Sequence, residues 1–401
     1  MLMQDGAYAI NRSSRGKIRV GIVAGEASGD LLGSHLILAL KQHHPDMEFV
    51  GIAGPKMIGA GAHSLFPMEK LAVRGYVEVL RHYLEILGIQ RKLKDYFLAN
   101  PPDLFIGIDA PDFNLSLEEK LKASGIPTIH YVSPSIWAWR GERIHKIARS
   151  VSHILVLFPF EPALYEKAGV PVTYVGHPLA DILPMQPDRA AARVQLKLPQ
   201  DTTVIAMLPG SRQSELAYMA DLFAKTAQEI ARHNPGAHFL IPLISKETRA
   251  LFETALQRCN TYGLSISVLF GHAHDAMTAA DAVLVASGTA TLEAALLKRP
   301  MVITYRISRL TWLMLRNKNY LPYVGLPNIL AGRFVVPELL QDNATPENLA
   351  QALLNELDDT TVTQALTIEF TRQHQALKQD TAHRAAQAIL PYLRREAGSP
   401  A

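Results

Sequence analysis

The hydrophobic positions of the chain form short runs that are bounded by glycine and alternate with stretches of helical periodicity. Such alternation is typical of βαβ units, in which buried parallel strands are joined by helices. The runs lie at 18–24, 49–53, 104–108, 127–132, 153–158 and 172–176 in the first half, and at 203–211, 238–244, 265–271, 281–287 and 301–307 in the second. The pattern therefore predicts an α/β fold with two parallel sheets.

A segment rich in proline and charge, at 177–201, separates the two halves and is expected to form a linker with one short helix. We interpret the halves as two Rossmann-like domains, at 17–180 and 181–364, whose sheets face a central cleft. The amphipathic helical tail at 365–395 is able to pack back on either domain, and we assign it to the first. Residues 1–16 are predicted to form a disordered extension.

Composition narrows the class of protein. The 401 residues are 48% hydrophobic and 19% charged, with a formal net charge of +3. This nearly neutral balance argues against a nucleic-acid partner. The single cysteine, Cys259, excludes an internal disulfide framework and fits a reducing compartment. Because no apolar run approaches the roughly 18 residues of a spanning helix, we expect a soluble or peripheral protein.

The sequence LPGSRQSE, at 208–215, ends a predicted strand and opens a predicted helix. Ligands of open α/β sheets bind in such loops, beyond the carboxyl ends of the strands. Gly210 allows a tight turn, while Ser211, Arg212 and the first amides of the helix can donate to a diphosphate. A Ser-capped helix with Glu215 in its first turn explains the loop equally well.

The sequence ASGTATLE, at 286–293, repeats this design with Ser287, Gly288 and Thr289 between a strand and a helix. Glu293 can accept hydrogen bonds from ribose hydroxyls, or it is simply a solvated glutamate. Two such loops on one sheet favour a nucleotide. Neither loop carries the Walker lysine or a G-x-G-x-x-G pattern, which argues against a P-loop NTPase and a dinucleotide dehydrogenase.

Two loops of the first half are candidates for holding an acceptor. In GEASGD, at 25–30, Glu26, Ser28 and Gly29 offer polar groups and a close backbone approach, although helix capping explains the neighbouring Asp30.

The loop HYVSPSIWAWR, at 130–140, contains Ser133 and two of the three tryptophans, Trp137 and Trp139. Aromatic side chains beyond a strand end can stack on sugars or line an acyl pocket. Burial against neighbouring helices is the commoner use of tryptophan, so both interpretations stay open.

The sequence GIDAPDFN, at 107–114, places two acids directly after a predicted strand. Asp112 precedes a helix start, and turn or capping chemistry accounts for it. Asp109 is placed as the last strand residue, pointing at the cleft, where one general base would be useful.

Between Glu293 and Glu338 the sequence contains no acid but several basic residues that are interleaved with apolar ones. The basic residues are Lys298, Arg299, Arg306, Arg309, Arg316, Lys318 and Arg333, and the apolar ones include Trp312, Leu313, Met314, Leu315, Tyr320 and Tyr323. A stretch of this kind can dock on anionic lipid headgroups. A solvated helix with one buried face is the more frequent alternative.

Taken together, these stretches resemble the lipid-A-disaccharide synthases, inverting glycosyltransferases of the GT-B type. The resemblance runs from about 18 to 390 and rests on AGEASGD, GPKM, GIDAPDFN, HYVSPSIWAWR, FPFE, GHPL, LPGSRQSE, ASGTATLE and LPNIL, in that order. It implies transfer from UDP-2,3-diacylglucosamine to 2,3-diacylglucosamine 1-phosphate, giving a β-1,6-linked disaccharide phosphate and UDP. It also implies work at the cytoplasmic face of the inner membrane of Gram-negative bacteria.

Transferred residue by residue, the resemblance makes Asp109 the essential aspartate, Arg212 the diphosphate-binding arginine and Asn328 the donor-site asparagine of LPN. It also favours roles in UDP binding for Ser211, Glu215 and Glu293. One departure is Arg74, which stands where the family usually has an apolar residue, so the acyl-binding surface there is expected to differ.

The implied mechanism is a direct displacement in which Asp109 removes the proton of the acceptor 6-hydroxyl, a task typically worth about 10²–10⁴-fold in rate. No D-x-D motif flanks the nucleotide loops, so we expect neither a metal nor another cofactor. Another GT-B enzyme, such as a UDP-GlcNAc epimerase or a lipid II-forming transferase, would share the phosphate loops. A non-catalytic sugar-nucleotide or lipid-binding protein would leave Asp109 without a task.

Overall fold

The computed structural model describes residues 17–71, 76–315 and 320–393, so the extension at 1–16 and Arg74 lie outside the described residues. The described strands are Arg19–Ala24 (β1), Glu48–Ile52 (β2), Ala62–Ser64 (β3), Leu104–Ile108 (β4), Thr128–Tyr131 (β5), His153–Val156 (β6), Val172–Tyr174 (β7), Val204–Leu208 (β8), His238–Leu243 (β9), Ser265–Phe270 (β10), Ala282–Ala286 (β11), Met301–Tyr305 (β12) and Glu338–Leu340 (β13). The α-helices are Ala27–His43 (α1), Pro55–Gly59 (α2), Tyr76–Ala99 (α3), Pro111–Ala123 (α4), Arg143–Ser150 (α5), Pro162–Lys167 (α6), Pro178–Ile182 (α7), Arg189–Gln195 (α8), Gln213–His233 (α9), Lys246–Arg258 (α10), Ala273–Ala279 (α11), Thr289–Leu296 (α12), Arg309–Leu315 (α13), Leu326–Ala331 (α14), Pro346–Asp358 (α15), Thr360–Leu377 (α16) and Thr381–Leu393 (α17).

The strands form two sheets in which hydrogen-bonded neighbours run parallel. Seven strands lie in the order β3-β2-β1-β4-β5-β6-β7, and six lie in the order β10-β9-β8-β11-β12-β13. The strand order reverses beside β1 and beside β8, which places ligand sites at the carboxyl ends of these strands. The predicted α/β fold with two parallel sheets is confirmed. The edge strands β3 and β13, of three residues each, were not predicted.

The central strands of the first sheet are buried on both faces, as their continuous apolar sequences require. Ile22 of β1 lies opposite Ile106 of β4, and both side chains are fully buried. Burying an isoleucine side chain is worth about 1.5–3 kcal/mol. The two strands therefore provide a rigid edge from which the loops after Ala24 and Ile108 leave.

The linker at 177–201 contains two short helices, α7 and α8, where the sequence pattern predicted one. Each has its own cap: Leu179 N donates to His177 Nδ1 (3.3 Å), and Ala191 N donates to Asp188 Oδ1 (2.9 Å). The prolines between the caps separate the two helices, because proline disfavours a helical conformation in the residue before it.

The C-terminal tail crosses from the second sheet to the first as two helices, and not as the single helix expected at 365–395. Phe370 of α16 joins the core of the second sheet, whereas Ile389 of α17 joins the core of the first. Between them Asp380 has a left-handed φ of +54°, and the backbone N–H groups of Asp380 and Thr381 donate to the Asp181 carboxylate at 3.0 and 2.8 Å. The tail therefore changes direction at a point that is held by the linker. Among the described helices, none combines the length and apolar character needed to span a bilayer.

Candidate active site

The loop between β8 and α9 already surrounds a carboxylate of its own. Gly210 adopts a left-handed φ of +122°, which turns the chain back toward the start of α9. Glu215 Oε2 accepts hydrogen bonds from the backbone N–H groups of Ser211 (2.9 Å) and Arg212 (3.2 Å). The amides that the sequence predicted as diphosphate ligands thus converge on one anion, which is the Glu215 side chain.

Arg212 adds positive charge to this loop. Its guanidinium Nη1 lies 3.2 Å from Glu215 Oε1, and about half of the side chain (52%) is exposed to solvent. From the end of β12, Tyr305 Oη donates to the same carboxylate oxygen at 3.5 Å, and burial together with the Glu215 charge raises the pKa of Tyr305. The loop is therefore rich in hydrogen-bond donors and reachable from solvent.

The loop between β11 and α12 lies beside it, because β11 is the neighbour of β8 in the sheet. Gly288 has a φ of +153°, and a Cβ there would meet nothing within 4 Å among the described atoms. Thr289 is exposed at the start of α12. Ser287 is tied to β12 and to the chain that follows it, since its N donates to Thr304 O (3.0 Å) and its Oγ donates to Val324 O (3.4 Å). The exposed glycine leaves this loop open for close approach of a ligand.

Glu293, the predicted ribose acceptor, pairs with a histidine that the sequence had not singled out. Its Oε2 lies 3.3 Å from His274 Nε2, and the hydrogen bond to Glu293 raises the pKa of His274. His274 lies in α11, directly after β10, so the rule of searching strand-end loops could have found it. The pair adds a titratable group to the predicted nucleotide loops.

Asn328 is fully buried, and its side-chain amide is saturated by the protein. Its Oδ1 accepts from Val335 N (2.7 Å) and Val336 N (3.0 Å), and its Nδ2 donates to Val336 O (3.0 Å) and Glu338 Oε1 (2.8 Å). An asparagine amide offers two donor hydrogens and two acceptor positions. In this conformation the Asn328 amide therefore has no free group for a ligand. It holds the loop that follows α14 in place.

Glu338 completes that loop and was also missed in the sequence. Its two carboxylate oxygens accept from Val324 N and Gly325 N, each at 2.8 Å. The carboxylate thus joins the start of α14 to β13, and the LPN segment is held from both sides.

Asp109 directly follows β4, which ends at Ile108, so it is not the last residue of the strand as predicted. Both Asp109 (φ +52°) and Ala110 (φ +44°) adopt left-handed conformations, each of which costs on the order of 1–3 kcal/mol in a residue other than glycine. The turn is held by Asp109 N, which donates to Tyr131 O (2.8 Å), and by Asn114 Nδ2, which donates to Asp109 O (2.8 Å). Among the described residues, none donates to the half-buried Asp109 carboxylate.

Asp112, the other acid of this motif, has a structural partner. It is exposed in the first turn of α4 and forms an ion pair with Arg143 Nη2 at 2.7 Å. The two acids, three residues apart, thus differ in environment: one is paired on the surface, and the other is presented on a constrained turn.

The loop after β1 places Glu26 at the N-cap of α1, followed by Ser28 and Gly29 in its first turn. A Cβ on Gly29 would lie 3.5 Å from Ile108 Cγ2, so this turn packs against the end of β4, beside the Asp109 turn. Asp30 does not cap its own helix. Its carboxylate accepts from Lys56 N and Met57 N, both at 2.9 Å, and thereby caps α2.

The loop after β5 is more buried than the prediction of an acceptor surface implies. Ser133 Oγ lies 2.6 Å from Tyr165 Oη, and Trp137 packs edge-on against Phe158 and Phe160. Glu161 beneath them is 1% exposed, and burial raises its pKa to about 7, although it accepts hydrogen bonds from the loop. In this conformation Ser133 and Trp137 belong to a packed cluster.

Trp139 and Arg140 form the outer part of the same loop. The Arg140 guanidinium lies 4.1 Å above the Trp139 ring, and both residues are exposed. The exposed aromatic surface of the loop is therefore Trp139, which is two residues beyond the predicted Trp137.

The basic stretch between Glu293 and Glu338 is only partly available to a partner. Lys298 is buried and donates to His374 Nδ1, and Arg306 Nη2 donates to Ala344 O (2.5 Å). Leu313 is 56% exposed, whereas Arg316 and Lys318 lie outside the described residues. The stretch also contacts the loop after β5, because Tyr320 N donates to Ala138 O at 3.0 Å.

The predicted nucleotide residues, apart from Asn328, thus lie in two adjacent loops of the second sheet and at the starts of the helices that follow them, α9 and α12. Asp109 and Glu26 lie on adjacent loops of the first sheet. Within the residues that the structure describes, no group of three or more His, Cys, Asp and Glu side chains is arranged to hold a metal ion.

Comparison with known proteins gives a consistent result along nearly the whole chain. The model of the family described as Lipid-A-disaccharide synthetase matches residues 20–390. The lipid-A-disaccharide synthase of Methylobacillus flagellatus is 63% identical over 375 residues, which cover 94% of this chain and 99% of that protein. That of Dechloromonas aromatica is 59% identical over 377 residues, with 94% and 99% covered.

Solved structures show the same architecture at low sequence identity. HepE of Anabaena in complex with UDP and glucose has a TM-score of 0.56 at 15% identity, covering 94% of this chain and 100% of its own. The calicheamicin glycosyltransferase CalG4 has a TM-score of 0.60 at 15% identity, covering 96% and 100%. The UDP-GlcNAc 2-epimerase of Neisseria meningitidis bound to UDP-GlcNAc has a TM-score of 0.59 at 12% identity, covering 94% and 99%. These similarities show the GT-B fold.

Proposed function

Because the chain belongs to the lipid-A-disaccharide synthase family, we propose that it joins UDP-2,3-diacylglucosamine to 2,3-diacylglucosamine 1-phosphate, with Asp109 as the general base. The family is one of glycosyltransferases that make the lipid A disaccharide, which implies a UDP-sugar donor and a phosphosugar acceptor. The products are a β-1,6-linked disaccharide phosphate and UDP. Inversion at the anomeric carbon requires a single displacement from the face opposite UDP.

The turn that contains Asp109 is the structural feature that most directly supports this proposal. An alcohol becomes a good nucleophile only when a base removes its proton in the transition state. The Asp109 carboxylate stands at the carboxyl end of β4 without a donor among the described residues, while its backbone is fixed by Asn114 and Tyr131. A base needs this combination of a fixed position and a free lone pair.

The leaving group is assigned to the second sheet. As the bond to the anomeric carbon breaks, the diphosphate of UDP gains negative charge, which Arg212 and the amides of Ser211 and Arg212 would stabilise. Glu215 engages these same donors, so a diphosphate that binds them has to replace its carboxylate. Glu215 thus orients these donors toward the position that the diphosphate would take.

We assign the two substrates to different sheets. We assign the acceptor to the domain at 17–180, beside Asp109 and Glu26, and the UDP-sugar to the domain at 181–364, with Glu293 and His274 near the ribose. Asn328 supports donor binding by holding the loop around α14, and Ser133 and Trp137 support acceptor binding by shaping the loop after β5.

The proposed reaction is tested by supplying both acylated sugars to the purified protein and analysing the products by mass spectrometry. The disaccharide phosphate and UDP are expected together, and neither is expected when the acceptor is left out. An epimerase would instead convert UDP-GlcNAc without any acceptor, and a binding protein would leave both sugars unchanged. Either result would refute the proposal.

A further inference from the structure

Three buried polar side chains lie directly behind the turn that carries Asp109. They are Asn114 and Glu118 of α4 and His130 of β5, and each is 0% exposed. Asn114 Nδ2 donates to Ile108 O (3.3 Å) and Asp109 O (2.8 Å), and Glu118 Oε1 lies 2.9 Å from His130 Nδ1. The three side chains therefore connect the candidate base to the interior of the first sheet.

Each member of this triad has one atom without a hydrogen-bond partner among the described residues: Asn114 Oδ1, Glu118 Oε2 and His130 Nε2. A buried polar atom left unpaired costs about 1–3 kcal/mol, so the protonation state that leaves fewest atoms unpaired is favoured. Asn114 and Glu118 are four residues apart and share one face of α4. A Cβ on Gly107 would lie 2.1 Å from Glu118 Oε1 and 2.9 Å from Asn114 Cγ, so both side chains pack on the same point of β4.

If Glu118 and His130 were both ionised, several buried polar atoms of the triad would lack a hydrogen-bond partner. Glu118 Oε2 and Asn114 Oδ1 would both remain acceptors without a donor among the described residues, and the imidazolium would carry an unpaired Nε2–H. Because both side chains pack on Gly107, a proton on Glu118 Oε2 would supply the donor that Asn114 Oδ1 lacks, while Oε1 would still accept from His130 Nδ1–H. Burial raises the pKa of Glu118, in the same direction, against the lowering influence of His130 and of Lys146 on α5.

We propose that Glu118 is a positioning residue of the glycosyl transfer: as a neutral acid it donates to Asn114 Oδ1 and so holds the amide that fixes the Asp109 turn. This inference rests on the proposed role of Asp109 as the base. The strained φ of +52° at Asp109 needs such support, because the turn would otherwise relax toward an unstrained conformation. Glu118 touches no substrate and acts through Asn114 alone.

The protonation of Glu118 is tested by infrared difference spectroscopy at neutral pH, comparing the full-length protein with Glu118→Gln. A carbonyl stretching band of a protonated carboxylic acid is expected in the original protein and is expected to vanish in the variant. Glu119→Gln is the matched control, because Glu119 is the next residue of α4 but is paired with Arg149 at the surface (3.2 Å). A difference spectrum that contains only carboxylate bands would refute a neutral Glu118, whatever the role of Asp109.

The positioning role is tested by kinetics with both acylated sugars. A glutamine side chain carries a permanent donor and acceptor, so Glu118→Gln is expected to keep kcat within about 3-fold of the original value. Leucine offers neither group. Glu118→Leu and Asn114→Leu should therefore lower kcat by roughly 10- to 100-fold, with little change in KM for the UDP-sugar. As the pH rises through the pKa of Glu118, the original protein should lose kcat, and Glu118→Gln should not. Equal losses in Glu118→Gln and Glu118→Leu, or losses confined to KM, would overturn the proposal.

Discussion

Single residues acquire their roles from the groups that surround them. Asp109 and Asp112 belong to one motif, yet Asp112 is held by Arg143 on the surface, whereas the Asp109 carboxylate meets no donor among the described residues. Asn328 illustrates the opposite case, because a residue expected to bind the donor has every polar position of its amide occupied. At the scale of single residues, free lone pairs and donor hydrogens distinguish side chains that are able to react or bind from side chains that only hold the structure.

Replacing Asp109 with asparagine should remove the base and leave the turn intact, because the two amino acids have nearly the same shape. We expect turnover to fall by at least about 100-fold while the affinity for UDP stays unchanged. Asp112→Asn is the control and should retain most of its turnover. Steady-state rates and a calorimetric UDP titration measure both quantities. Near-normal turnover of Asp109→Asn would exclude Asp109 as the base.

Replacing Arg212 with alanine should weaken UDP binding through its diphosphate. A hydrogen bond to a charged group contributes about 1.5–3 kcal/mol, which corresponds to roughly 10- to 100-fold in affinity. Uridine lacks the diphosphate, so its affinity should not change. Arg232→Ala in the last turn of α9 is the control, because Arg232 also pairs with a glutamate three residues away. Equal losses for UDP and uridine in a titration would refute the contact.

The two sheets are connected mainly through the linker at 177–201 and the C-terminal tail. His177 caps α7 with its Nδ1, and its backbone N donates to Leu377 O at the end of α16 (2.9 Å). Tyr174 Oη donates to Ala376 O (2.6 Å), so the last strand of the first sheet is tied to the same point. The connection between the two sheets therefore depends on a few buried polar groups at this junction.

His177 should make the stability of the protein depend on pH. Burial lowers its pKa to about 4, with Asp181 acting in the opposite direction, whereas an unfolded histidine has a pKa near 6.5. Below about pH 6.5 the unfolded chain binds a proton that the folded chain does not, so stability present at higher pH is lost as the pH falls from about 6.5 to 4. The loss is at most about 3 kcal/mol.

Thermal unfolding followed by calorimetry between about pH 7.5 and about pH 4.5 tests this contribution, because that interval spans most of the range between the unfolded and folded pKa values. His177→Asn should show a weaker fall in Tm, because asparagine caps α7 but does not titrate in this range. His383→Asn, at a partly exposed histidine paired with Asp380, should behave like the original protein. A fall in Tm that is equally steep in His177→Asn would contradict the assignment.

At the scale of the whole molecule, the described residues around α13 form a surface that combines basic and exposed apolar side chains. We propose that this surface attaches the protein to anionic lipid at the cytoplasmic face of the inner membrane, close to its acylated substrates. Arg309 is exposed there, and Leu313 beside it is 56% exposed. Basic charge and apolar side chains together favour binding to anionic bilayers.

Co-sedimentation with lipid vesicles tests the attachment. Binding is expected to rise with the fraction of phosphatidylglycerol and to fall with added salt, and Leu313→Ser should bind more weakly. Tyr262→Ser is the control, because Tyr262 is also highly exposed (79%) but lies between α10 and β10, away from α13. Binding that does not depend on anionic lipid, or equal binding by both variants, would argue against this surface.

The sequence by itself determined the two parallel sheets, the loops that carry Asp109 and Arg212, and the family. These features depend on local periodicity, on glycine and on motifs that are contiguous in the chain, so distant residues are not needed to recognise them. Only the tertiary structure decided which side chains remain available. The partners of Asn328, Ser133 and Glu118 come from other elements, and their pairing follows from how sheets and helices pack. The packing also brought His274 to Glu293 and held Asp109 in a left-handed conformation. Which lone pairs of a side chain remain free depends on its neighbours in space, and these neighbours are distant in the sequence.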